Sequence, residues 1–575
     1  MTHYERARST GESTPAVRLM LGVLMGLVFL NLTLSTNAAG VADTNSTDTN
    51  SKVPLNYSSW LKSLGSDYRV VQGTAFLLTN SECPKFISIF GTCFGQNPAS
   101  PYIIPQPPIE DSYVDPRYAT KFNTPGPNGQ TTNLIYRLSD QDALVTIVSY
   151  PPKAAYCGYI TYLFTRESSN YAGITPPQPL PILRLLGLAD RIKSPDRNRY
   201  AIFGSIGNDV NNVIVQNQLG VSPWSNVIVV YVTTSNQILA AALKQSAQDH
   251  GIDPKSIFIE PIGSNVITGD GVEADDMWTV MRYAIPESDR AAENWTKNLS
   301  RNVLVYKVSN PTLTVQRYGN IDYTRRTVNT DETAFVPSLR TALKQLATLL
   351  QNYLTAKQSP SEATNQPIMA TTTNADGVPN GGLVGSVCIQ YGTSCLGDDQ
   401  DTSTYAALPI RDLQLEETAF VVGVNHNVSD LNNTRYVSLA VYNAARGFGV
   451  ASSSQTNPQA VGFDTGSLNG SAEGVLQALG ISIPPEYTDL MANLPNLYVT
   501  AIARDINNPT IGPARQYAID LKGTSLVPID ATLVITERSY IVPGTTTGGD
   551  VNGMLYPLVV AARNNFFLGP LTPSK

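Results

Sequence analysis

Asn226-Val-Ile-Val-Val-Tyr-Val232 is a continuous apolar run rich in β-branched residues, the pattern of a strand buried on both faces. Just beyond it, Thr234-x-x-Gln237 matches a capping box. Ile238, Leu239, Ala242 and Leu243 then share one side of a helix that stops at His250-Gly251. Ser256-Ile-Phe-Ile-Glu260 reads as the next strand. Strand, helix and strand in such a short span make a βαβ unit, a parallel pair joined by a right-handed crossover.

Outward from this unit, a second helix is expected over Thr333–Leu354. Its stripe of Leu339, Leu343, Leu346, Leu350 and Leu354 steps by three and four residues, as a core-facing helix requires. Ala419–Val424, Tyr436–Tyr442, Leu497–Ala503 and Ala531–Tyr540 read as strands. The expected fold class is α/β or α+β, a mixed sheet with at least one βαβ unit, in two closely packed lobes. Residues 355–382, with Pro360, Pro367, Pro379 and Gly381-Gly382, form the expected linker between an N-terminal α/β lobe (54–354) and a strand-rich C-terminal lobe (383–575). No internal repeat is visible.

Residues 1–38 carry Arg6, Arg8 and Arg18, then the apolar run Leu19–Leu30, then small residues around Ala38. This is the order of a secretory signal peptide. The run is shorter than the roughly 20 apolar residues of a membrane span, yet residues 19–34 left uncleaved would make a signal anchor oriented N-in, C-out. Residues 39–53 lack apolar periodicity and read as a flexible stalk. The localisation implied is the secretory pathway, with the chain extracellular or held by a single pass.

Composition agrees. Charged residues make up 15% of the chain, below the roughly 25% of average soluble domains. No basic stripe exists to displace counterions, which excludes nucleic acid as a partner. Asn-x-Ser/Thr sequons stand at Asn45, Asn56, Asn294, Asn298, Asn427, Asn432 and Asn469. All five cysteines lie beyond the export segment, where oxidation is favoured. Proximity selects Cys83 with Cys93 and Cys388 with Cys395. Cys157 is left over as a buried small hydrophobe, an intermolecular link or a nucleophile.

Histidine is scarce. His250 sits at a helix end, where imidazole meets the negative end of the helix dipole. His426 is the remaining candidate general acid/base, following the apolar run Phe420–Asn425. Its neighbour Asn427 heads a sequon, which would instead make it an exposed loop histidine. Asp398-Asp399-Gln-Asp401 is either a solvated turn or a crowded acidic site, where Asp398 and Asp401 could serve as carboxylate partners or cation ligands. Asp270–Asp276 is expected to open a helix, its acids complementing the N-terminus. Tyr156, Tyr159 and Tyr162 either line a ligand cleft, with Asn425 beside it, or form a core strand. Phe463-Asp464-Thr465-Gly466 lacks the second motif that an aspartic protease needs. Gly91-Thr-Cys93-Phe-Gly95 imitates a nucleophile elbow, but the prolines after it forbid the helix an elbow feeds.

Cys93–Tyr102, Pro151–Phe164, Gly397–Asp401, Gly423–His426 and Glu537–Tyr540 with Pro543-Gly-Thr together resemble markers of an uncharacterised group of exported or membrane-associated proteins. That resemblance implies no activity and no cofactor; it implies that the two lobes work as one unit. Two functional readings follow. One is an exported or membrane-anchored extracellular glycoprotein. The other is a hydrolase-like extracellular enzyme acting on a small molecule or glycan through His426 and Asp398/Asp401. Cofactors and metals are not specified by any motif.

Overall fold

The computed structural model describes residues 53–561 apart from 95, 98–101, 110–119, 176–191, 194–197, 208, 225–226, 321–327, 329–330, 358–363, 368–384, 396–401, 407–409, 411–412, 428–430, 432–433, 444–445, 453–467, 522–532, 551–552 and 556. The signal or anchor segment, the stalk to residue 52, and Asn45, Asp398, Asp401 and Asn432 therefore lie outside the described residues. Among the described residues no helix is long and apolar enough to cross a membrane.

The fold is α+β. Residues 69–309 build two sheets. One has the strand order Arg69–Gln72, Val303–Ser309, Asp142–Ser149, Ile228–Thr234, Ile257–Pro261. The last two strands are parallel and joined by the helix Gln237–Asp249, so the βαβ unit read from the sequence is present. Its cap differs from the expected one. Asn236 accepts the N–H of Ile238, while Thr234 Oγ1 donates to the Asp142 carbonyl and so ties the strand end to its neighbour. The second sheet runs Thr74–Leu78, Tyr102–Gln106, Asp276–Pro286, Ala154–Glu167, Arg199–Ser205, Ile192–Lys193, all antiparallel. Glu260 of the first sheet reaches the second, accepting from Thr161 N (2.6 Å) and Thr161 Oγ1 (2.5 Å). Three hydroxyl and amide donors, with Thr233 at 2.6 Å, satisfy a carboxyl whose pKa burial pushes up.

Residues 364–561 repeat this plan. The order Thr364–Pro367, Leu558–Ala561, Thr418–Val424, Leu497–Ala503, Ala518–Asp520 is again first, last, then three in ascending chain order, with only the final pair parallel. The partner sheet, Thr402–Ala406, Leu533–Tyr540, Tyr436–Asn443, Phe448–Ser452, copies the second sheet strand for strand without its outermost members. Both partner sheets carry a register shift at the corresponding pair. The chain thus carries one sheet plan twice, a structural repeat that the sequence does not display.

Register makes the equivalence residue-specific. Tyr156 pairs with Ala284 and Gly158 with Arg282; Tyr436 pairs with Tyr540 and Ser438 with Arg538. Matched through Ile285 and Ile541, each three residues further on, Arg282 and Arg538 occupy one position of the repeat. Three residues on, Ile285 (φ 53°) and Ile541 (φ 50°) share a left-handed backbone that β-branched residues rarely adopt. A disulfide follows the same rule. The helix Cys83–Phe90 ends at Gly91 (φ 78°) before Cys93, and the helix Gly385–Tyr391 ends at Gly392 (φ 73°) before Cys395. Both expected disulfides form, Cys83–Cys93 and Cys388–Cys395.

The halves share one core. A single apolar cluster includes Leu78, Tyr162 and Trp278 from the first half with Val421, Leu439 and Val559 from the second. The helix expected over 333–354 is divided into Glu332–Phe335 and Leu339–Lys357. Pro337 explains the break, because it disfavours helical geometry at the residue before it. The leucine stripe is buried throughout.

Asp270–Asp276 opens no helix. Asp276 begins the strand Asp276–Pro286, and Asp275 and Asp276 are both fully buried. Arg166 clasps Asp275 through Nε (2.8 Å) and Nη2 (2.5 Å), while Arg137 Nε (2.7 Å) and Arg199 Nε (3.2 Å) meet Asp276. The acids serve as counter-ions for these arginines, which leaves the N-terminus of a helix no part in holding them. That is how such charges survive in a core.

Candidate functional site

His426 follows the strand Thr418–Val424 and is completely buried, which corrects the reading of an exposed loop histidine. Its Nδ1 bonds Glu332 Oε1, and its Nε2 donates to Glu537 Oε1 at 3.0 Å. The clamp continues outward. Leu555 N–H donates to Glu332 Oε2 (2.7 Å), and the Tyr498 hydroxyl donates to Glu537 Oε2. Burial alone would strip the proton from the imidazole. The two carboxylates outweigh it and raise its pKa to about 10, so His426 is a cation at neutral pH. With both nitrogens engaged and no solvent access, it staples the segment before the leucine-striped helix to two strands of the second half. General acid–base work needs a group within reach of substrate and titrating near the working pH. His426 meets neither condition.

The other expected site residues are accounted for in turn. Asp398 and Asp401 lie outside the described residues. Asn425 is buried and its N–H donates to the Asn496 carbonyl (2.9 Å). Tyr159 is buried and stacks flat on Tyr231, with ring centroids 4.0 Å apart. Tyr156 packs against Tyr540 at 5.1 Å. Tyr162 lines the cavity described next. Cys157 is buried beside Tyr150, and burial pushes its thiol up to about 12, which makes it an inert core side chain. Among the sequons, Asn56, Asn294 and Asn469 are exposed. Asn427 spends its side-chain amide on the carbonyls of Thr434 (2.7 Å) and Arg435 (2.6 Å).

The cavity is small, about 40 Å³ in volume. Its wall is aromatic: Phe86, Phe94, Tyr162, Phe203 and Trp278. Trp278 is sandwiched, nearly parallel to Phe86 (5.5 Å, 9°) and Phe203 (4.9 Å, 20°). Tyr162 leans on Phe203 at 4.8 Å. Two of these rings stand on strained backbone, Phe94 at φ 55° and Phe203 at φ 43°. Bulky residues in that region cost about 1–3 kcal/mol each, and such strain gathers at binding sites. The Cys83–Cys93 disulfide borders the cavity and pins the loop that carries Phe94, with the Gln96 side chain against both sulfurs.

Two guanidiniums complete the lining, Arg282 and Arg538. Arg282 donates to the hydroxyls of Tyr540 (2.8 Å) and Tyr102 (3.3 Å) and lies over both rings. Arg538 lies over the Tyr442 ring at 5.8 Å, close enough to Arg282 for the two charges to repel. None of the described lining residues is acidic. The buried indole N–H of Trp278 makes no hydrogen bond to protein.

No protein-family model and no curated protein matches the chain. Among solved structures it is similar to the VPA0106 protein of Vibrio parahaemolyticus, at 8% identity over 84% of this chain and 96% of that one, with a TM-score of 0.30. It is also similar to an uncharacterised protein of Burkholderia cenocepacia, at 9% identity over 81% of this chain and 77% of that one, again with a TM-score of 0.30. At that similarity neither carries a function over, and the functional reading rests on this chain's own residues.

Sequence reading missed the cavity because its wall comes from five separate segments. A signal existed in Glu537-Arg-Ser-Tyr540: a basic residue and an acid side by side in an apolar strand must face opposite sides. Glu537 turns to His426 and Arg538 to the cavity.

Proposed function

We propose that this chain is an exported, disulfide-bonded extracellular protein that binds a small molecule in the aromatic cavity. The observation that carries this reading is the ring-walled cavity itself, in which Phe94 and Phe203 hold strained backbone to present their faces. Ligand sites are largely apolar concavities with a few placed polar groups, and this lining has that character; at about 40 Å³ it is far smaller than the roughly 300–1,000 Å³ of ordinary ligand pockets, so its rings must move apart to admit a ligand. Two disulfides support an oxidising compartment, and the export signal and exposed sequons agree with a glycoprotein carried through the secretory pathway. The binding reading replaces the hydrolase reading, whose histidine is sealed between carboxylates.

Isothermal titration of indole, a neutral planar probe, tests the binding function. Saturable one-to-one binding is expected, and Val280→Phe, which fills the cavity from its lining, should abolish it while the far-ultraviolet spectrum is kept. Unchanged indole binding in a folded Val280→Phe protein, or none in the wild type, would refute the reading.

A further inference from the structure

We propose that the native protein carries N-linked glycans on Asn56, Asn294 and Asn469 and leaves Asn298 and Asn427 bare; this rests on the glycoprotein reading above and names its sites. All five head the same tripeptide, so the sequence does not rank them. Attachment forms a bond from the asparagine Nδ2 to the first sugar of a lipid-diphosphate-linked oligosaccharide. The sugar–phosphate bond breaks, the lipid diphosphate leaves, and Nδ2 gives up one proton with no change of oxidation state. The tripeptide must be read before folding, because Ser471 of the Asn469 sequon ends up buried, its hydroxyl donating to the Leu468 carbonyl (2.8 Å). The fold then decides which modified asparagines it can hold, and a bulky glycan needs Nδ2 at the surface. Asn294 is exposed on the helix Asp289–Lys297, while its neighbour Trp295 turns inward to the Ser149 carbonyl (2.9 Å). Asn56 is exposed on the helix Leu55–Lys62, and Asn469 in the turn before the helix Ser471–Leu479. Asn427 is the opposite case. Its Nδ2 donates to the carbonyls of Thr434 (2.7 Å) and Arg435 (2.6 Å), so both amide protons are in use and a sugar would have to replace one of these contacts. Asn298 turns its Nδ2 back onto the Asn294 carbonyl (2.9 Å). It lies one helical turn from Asn294, where two glycans would compete for one patch of surface.

The test is glycopeptide mapping of the full chain secreted by a eukaryotic host, after an enzymatic deglycosylation that converts each modified asparagine to aspartate. Conversion is expected at Asn56, Asn294 and Asn469, with Asn298 and Asn427 unchanged. Asn294→Gln should remove one glycan's mass and leave the urea midpoint where it was. Asn427→Gln should remove none and shift the midpoint to lower urea, because two hydrogen bonds are lost. If Asn427→Gln is not secreted, the wild-type map still decides. Conversion at Asn427 or Asn298, or an unmodified Asn56, Asn294 or Asn469, overturns the assignment of sites and leaves the glycoprotein reading standing. No conversion at any sequon overturns both.

Discussion

His426→Gln is the sharpest probe of how the second half is held together. The substitution removes a buried cation and leaves Glu332 and Glu537 facing its site from two sides. Removing one partner of a buried ion pair costs about 3–5 kcal/mol. The pH dependence gives an independent figure. The folded pKa is raised to about 10 from an ordinary 6.5. A raised pKa contributes stability that is complete below the unfolded value and is lost as pH rises through the folded one. The site's contribution should therefore be full at pH 6.5 and decline by about 1.4 kcal/mol per unit until pH 10, a total on the order of 5 kcal/mol. Urea midpoints of wild type and His426→Gln, followed by circular dichroism at pH 6.5, 8 and 9.5 with disulfides intact, measure the gap directly. It should be widest at pH 6.5 and nearly closed at 9.5. A gap that is constant across this range would refute the clamped imidazolium.

Two further outcomes follow from the repeat and the core. Gly91→Ala and Gly392→Ala place a side chain at equivalent helix ends with φ of 78° and 73°. Gly91 has open space and should lose only the backbone penalty of about 1–2 kcal/mol. A Cβ at Gly392 would lie 2.9 Å from the Tyr171 ring, which is anchored through its hydroxyl to the Ile389 carbonyl, so overpacking adds about 1–3 kcal/mol; equal urea midpoints for the two variants would contradict this. Cys157 should resist a thiol reagent at pH 8 in the native protein and react on unfolding, and prompt native labelling would show the thiol to be reachable.

What the sequence disclosed was local. The βαβ unit, the leucine stripe and both disulfides were legible because each depends on residues close in the chain. The histidine clamp was not, since Glu332 and Glu537 lie far from His426 in the chain and each looks like an ordinary surface acid in its own segment. Asp275 and Asp276 misled for the same reason: an acid pair before an apolar run suits a helix start until three distant arginines are seen to close on it. The duplication was hidden most completely. Tyr156-Cys-Gly-Tyr-Ile-Thr-Tyr162-Leu-Phe-Thr-Arg166 and Tyr436-Val-Ser-Leu-Ala-Val-Tyr442-Asn-Ala-Ala-Arg446 share only two tyrosines and an arginine. Core positions accept any apolar side chain of suitable volume, so pairing geometry outlasts residue identity.

The register also shows which half kept which duty. By the same alignment that matches Arg282 to Arg538, Trp278 corresponds to Val534 and Val280 to Thr536. Two like halves meeting at their equivalent arginines would form two like sites. Here only one half retains the large rings, and Val534 instead packs in a small cluster with Ala440 and Tyr442. Tyr442, the counterpart of Tyr162, lies under the Arg538 guanidinium. Its ring face holds that cation by cation–π attraction. The second half has thus become a support that aims its arginine into a cavity walled by the first. Charge comes from both halves and shape from one: Arg282 and Arg538 both line the cavity, while its aromatic wall belongs to the first half.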